Sequence, residues 1–66
     1  SREGDLINAG VKYGVLAKSG PWINYQESKL GQGVEAARQY LKENPDLVKS
    51  LTQEVKKAWE KTSAEV

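Results

Sequence analysis

Leu30-Gly31-Gln32-Gly33-Val34-Glu35-Ala36-Ala37-Arg38-Gln39-Tyr40-Leu41 sets two glycines directly ahead of a helix-forming run. Its first half fits the letter of a dinucleotide fingerprint, G-x-G-x-x-G/A. That fingerprint needs a strand before it, a helix after it, and then a second parallel strand with an acid near its end. Lys29-Leu30-Gly31 reads as a strand. Val34, Ala37, Tyr40 and Leu41 keep the i, i+3, i+7 spacing of a buried helical stripe, which Lys42-Glu43 closes. The third condition fails, because a second helix follows and no strand. Asn44 is a good N-cap, Pro45 suits the first helical position, and Asp46 faces the helix dipole. Leu47, Leu51, Val55, Ala58 and Trp59 then form one apolar face, with Val48 at its margin. No G-x-x-x-x-G-K-[ST] occurs either. Two readings of the glycines remain. They supply special backbone angles where a strand turns into a helix, or the helix-start N–H groups meet a phosphate oxygen, including one of nucleic acid.

Upstream, Ser1 reads as the N-cap of a first helix, with Glu3 and Asp5 where the dipole favours acids. Leu6, Ile7 and Val11 share a face, Gly10 permits close packing, and Gly14 is a C′ stop. Val15-Leu16-Ala17-Lys18 is a brief extended run, Ser19-Gly20-Pro21 a turn, and Trp22-Ile23-Asn24-Tyr25 a strand rich in aromatic and β-branched residues. Gln26-Glu27-Ser28 turns the chain toward Lys29. Strand alternation puts Trp22 and Asn24 on one face, Ile23 and Tyr25 on the other. The class is α+β: a small two- or three-stranded antiparallel sheet with an N-terminal helix and two C-terminal helices. Residues 1–61 read as one domain and 62–66 as a frayed tail.

Composition narrows the chemistry. The chain has 66 residues, no cysteine and no histidine. Disulfides, thiolate zinc sites and the commonest general base are therefore absent. Ser19 and Ser28 have no histidine to activate them. Glu43 with Asp46, and Glu54 with Glu60, sit among lysines as solvated surface. Lys49, Lys56, Lys57 and Lys61 alternate with acids as a soluble helix face. No run approaches the roughly 18 apolar residues of a membrane span, and no signal peptide opens the chain. Starting without methionine, it reads as an excised or processed segment.

Net charge is +1, with ten basic and nine acidic residues. The excess sits in the middle. Residues 11–34 hold three lysines, Lys12, Lys18 and Lys29, against the single acid Glu27. These lysines form a modest patch around the hairpin. Trp22 and Tyr25 there read as core sooner than as base-stacking platforms, and Trp59 as core or seam.

Taken together, several elements make a set: Ser1-Arg2-Glu3-Gly4-Asp5-Leu6-Ile7, Gly10-Val11-Lys12, Lys18-Ser19-Gly20 with Trp22 and Tyr25, Leu30-Gly31-Gln32-Gly33, and Ala37-Arg38-Gln39-Tyr40-Leu41-Lys42-Glu43-Asn44-Pro45. The set resembles, in register from Ser1 to about Lys57, the C-terminal domain of the bacterial RecA recombinases. The resemblance implies a lobe on the outside of a recombinase filament. That lobe captures double-stranded DNA and guides it to the bound single strand, in homologous recombination, DNA repair and the SOS response. It implies a cytoplasmic protein whose ATPase core, with ATP and magnesium, lies outside this chain. The chain itself would then be no enzyme, need no cofactor, and be monomeric in isolation. Basic positions associated with duplex capture match Lys12, Lys18 and Lys29, and Gln32 and Gly33 at the helix start join them as candidate DNA contacts. The expected mechanism is phosphate contact by the lysines and the Gly33 N–H, without base readout. The alternative is a protein–protein module docking within the filament or on a regulator. Three departures from the family stand out. Val34 occupies a position that is often Lys. Ile23 stands where an aromatic is common. Gln26-Glu27-Ser28 replaces a turn that often carries Gly. The acidic tail of many family members has a single counterpart, Glu65, in residues 62–66.

Overall fold

The computed structural model describes residues 2–64, with side chains to residue 62. The elements run α1 (Arg2–Lys12), β1 (Ala17–Ser19), β2 (Trp22–Tyr25), β3 (Ser28–Gln32), α2 (Gly33–Glu43) and α3 (Pro45–Ala64). The expected α+β order holds, with three strands in the sheet order β1-β2-β3, both pairs antiparallel. The cap expected of Ser1 lies outside the described residues. So do Glu65 and Val66, while α3 continues through Thr62 to Ala64, into the stretch expected to fray.

Local chemistry sets the element ends. Gly14, at φ +78°, closes α1. Its N–H donates to the Val11 carbonyl at 3.2 Å and the Val15 N–H to the Gly10 carbonyl at 2.8 Å. This is the paired Schellman pattern that satisfies orphan helix carbonyls. The next residue, Leu16, leaves the helix and docks into the core, so β1 begins only at Ala17. Gly20-Pro21 alone forms the first hairpin loop, and Gln26-Glu27 the second, with Gln26 at φ +56°. Asn44 plays two parts. Its carbonyl receives the first α3 bonds, from Leu47 and Val48. Its side-chain amide turns back to donate to the Tyr40 carbonyl at 2.8 Å, capping α2 instead of α3.

The core is Ile7, Leu16, Ile23, Leu30, Ala37, Leu41 and Leu51, one or two residues from nearly every element. Leu6, Val11, Val15, Tyr25, Leu47 and Val48 pack against it. Tyr25 also donates its hydroxyl proton to the Glu54 carboxylate, tying β2 to α3. Glu54 is therefore not purely solvated surface. The helical stripes are narrower than their spacing implies. Val34 and Tyr40 are exposed, and Trp59 is 52% exposed, so none of the three is core. With three short strands and three helices, the core fills from Ala37 and Leu41 on α2 and from Leu51 on α3. Val34 and Tyr40 lie at the edges of the stripe that Ala37 and Leu41 define, and Trp59 lies two turns beyond Leu51.

A β-bulge sets the faces of the sheet. Trp22 pairs with Gln32, Ile23 with Gly31, Asn24 with Lys29 and Tyr25 with Ser28, the ladder slipping between Ile23 and Asn24. Leu30 is the extra residue. Leu30 and Gly31 together oppose Ile23 and turn toward the helices. Lys29 and Gln32, an odd number of residues apart, consequently share the opposite face with Trp22 and Asn24. The buried strand residues, Ile23 and Leu30, are on the inner face, while Lys29 and Gln32 on the outer face are exposed.

Candidate nucleic-acid interface

At the junction of β3 and α2 each glycine has a local reason to be there. A Cβ on Gly31 would lie 2.7 Å from the Ala36 Cβ and 2.9 Å from the Ala36 carbonyl carbon. Gly31 is there so that a strand can touch the helix that follows it. Gly33 has open space around it but sits at φ +84°, where a side chain would be strained. Its N–H donates to the Pro21 carbonyl at 2.7 Å. The N–H expected to meet a phosphate thus already has an acceptor in the neighbouring loop. The start of α2 is a poor anion seat in other ways. Gln32 makes no side-chain cap, and Glu35 places an acid in the first turn. That acid holds Arg38 at 2.7 Å. The glycines serve backbone geometry and close packing.

The lysines are placed by different elements. All three are exposed, and among the described residues none is in an ion pair. Lys12 ends α1, with Nζ 5.5 Å from the centre of the adjacent Tyr13 ring. Lys18 lies on edge strand β1 opposite Ile23, so its parity is that of the inner face. Lys29 lies on β3, and its Nζ sits 4.9 Å from the centre of the Trp22 ring. Lys29 and Gln32 are thus brought together on the outer face, while Lys18 leaves the sheet on the other side. The three lysines are not one flat patch.

Trp22 was expected in the core and is not there. It is half-buried on the outer face, opposite in parity to Ile23. Beside it, the Asn24 Oδ1 is buried and unbonded among the described residues. An unpaired buried acceptor costs stability instead of adding it. The outer face therefore carries a tryptophan, a lysine and two amides, and among the described residues none of the buried core lies on it. Exposed cations without carboxylate partners keep their whole charge for an external anion.

A second surface lies on the helical side. Leu6 and Val48 floor an open groove of about 660 Å³ between α1 and α3, rimmed by Arg2, Asp5 and Lys49. Its charges are mixed and its base apolar. Among the described residues there is no cluster of three or more acids that could hold a metal ion, and no helix long and apolar enough to cross a membrane.

Fold and surface together define a small α+β lobe with its buried core on one face of the sheet. Residues 4–60 match the family described as the RecA C-terminal domain. The protein RecA of Acidothermus cellulolyticus is 50% identical over 56 residues, which are 85% of this chain and 16% of that protein. The protein RecA of Campylobacter lari is 53% identical over 55 residues, 83% and 16% of the two chains. For the protein RecA of Nitratiruptor sp. the figures are 47% over 58 residues, 88% and 17%. The chain belongs to the family of RecA C-terminal domains. It spans about one sixth of the length of these relatives.

Proposed function

We propose that this domain captures double-stranded DNA for a recombinase filament, holding phosphates without reading sequence. The observation that carries the proposal is Lys29, without a carboxylate partner among the described residues, seated on Trp22 on the sheet face away from the buried core. Gln32 lies on the same face as a neutral polar contact. Lys12 and Lys18 add charge from the flanks and meet phosphates on either side of a rounded surface. In the whole recombinase, a cytoplasmic DNA-dependent ATPase of recombination, repair and the SOS response, the ATP- and magnesium-binding core would hold the single strand. This domain would bring the duplex to it. Gly33 contributes through the shape of the turn and not through its N–H.

Neutralising about three phosphates gives a salt slope of about −2.7 on logarithmic axes. Affinity of the isolated chain for a short duplex should be on the order of 10⁻⁴ M near physiological salt, multiplied in a filament by avidity. Fluorescence anisotropy of a labelled duplex, titrated at several salt concentrations, measures both. A slope near zero would count against the proposal.

The second reading, a docking module, has its own observation in the groove between α1 and α3. A shallow apolar floor with mixed charges at its rim suits a protein partner within the filament or a regulator. That reading predicts no salt-sensitive DNA binding and a loss of partner binding on charging Leu6 or Val48.

A further inference from the structure

We infer that Trp22 is a positioning residue, holding the Lys29 ammonium where the duplex backbone is met, so that the two side chains act as one unit. This inference rests on the duplex-capture reading. A lysine on a strand ordinarily swings its charge on a flexible four-carbon stem. Here the Nζ lies 4.9 Å from the Trp22 ring centre, inside the roughly 6 Å range of a cation–π contact, and tryptophan is the best ring for it. A carboxylate would restrain the ammonium equally well but would cancel its charge. An indole restrains it and leaves the full charge, with hydrogens free to donate to a phosphate oxygen. Lys12 has a lesser version of the contact, on the neighbouring Tyr13 at 5.5 Å. Lys18 has no ring contact among the described residues.

The arrangement depends on the bulge. Trp22 and Lys29 belong to strands whose ladder slips between Ile23 and Asn24. Without the slip, Lys29 could share the outer face only at the expense of Gln32. Trp22 also takes no part in the seven-residue core, so packing against the helices does not account for its place.

A double-mutant cycle tests the unit. The 66-residue chain, Trp22→Leu, Lys29→Met and the pair are titrated with a short labelled duplex at low salt, and thermal melting follows the fold of each. Trp22→Leu is expected to weaken binding about two- to fivefold while Lys29 is present, and to change nothing in the Lys29→Met background. Trp22→Phe should recover part of the loss, which guards against a folding defect in the leucine variant. In the free chain the Lys29 side-chain protons should be shifted upfield by the indole and return in Trp22→Leu. Equal loss in both backgrounds, no loss in either, or unshifted Lys29 protons would overturn the inference. If the unmutated chain binds no duplex in a salt-dependent way, duplex capture fails and the inference with it. Binding without coupling defeats the inference alone.

Discussion

The two faces of one three-stranded sheet have opposite fates. On the inner face Ile23 and Leu30 are buried and Tyr25 packs beside them. On the outer face Trp22, a larger and equally apolar side chain, stays half-buried beneath a lysine. Strand alternation separates these residues but is silent on which parity turns inward. The choice is made by the contact between Gly31 and Ala36, which brings α2 against one side of β3. The inner face is where the chain gains its stability. The outer face carries charge and an unsatisfied amide, and its exposed lysine should be replaceable without unfolding the domain.

Substitutions on the two faces should therefore separate stability from binding. Ile23→Ala should have the largest effect, costing about 2–5 kcal/mol. A domain this small has roughly 3–5 kcal/mol to lose, so chemical denaturation should find the variant largely unfolded. Gly31→Ala drives a methyl into Ala36 and the start of α2 and should cost about 1–3 kcal/mol in the same assay. Tyr25→Phe removes the hydroxyl bonded to Glu54 and should cost about 0.5–1.5 kcal/mol, leaving duplex affinity nearly unchanged. Lys29→Met, on the outer face, should move stability by less than about 0.5 kcal/mol. Its effect is on binding, where the salt slope should fall in magnitude by about 0.9.

Much of this was legible from the residues. Gly14 after Lys12, Asn44-Pro45-Asp46 before α3 and the turn residues placed the elements, because caps and turns are local chemistry. For Gly31-Gln32-Gly33 the sequence leaves two readings open, backbone geometry at a strand-to-helix junction or a phosphate contact, and the junction itself supplies the geometry. Gly31, however, serves close packing and not an unusual angle. Burial was less legible. Val34, Tyr40 and Trp59 have helical spacing suited to a core, but a sheet this small has room for only a narrow stripe of each helix. Trp22 was misplaced for a related reason, since size and apolarity favour burial whereas parity depends on tertiary contact. The bulge at Leu30 left no signature in composition, and without it Lys29 and Gln32 would not fall on one face. The engagement of the Gly33 N–H by Pro21 links the first hairpin loop to the start of α2 and could not be read from either alone. The lysines on the edge strands β1 and β3 have a simpler use as well, since charges on sheet edges discourage pairing with other chains.

The most direct test of the account is an amide chemical-shift titration of the isotope-labelled chain with a short duplex, at low and at moderate salt. Shifts are expected at Trp22, Asn24, Lys29 and Gln32, with smaller ones at Lys12 and Lys18, all shrinking as salt rises. The amides of Leu6, Val48 and Lys49 in the α1–α3 groove should stay in place. Shifts confined to that groove, or none at either salt, would contradict duplex capture by the outer face of the sheet.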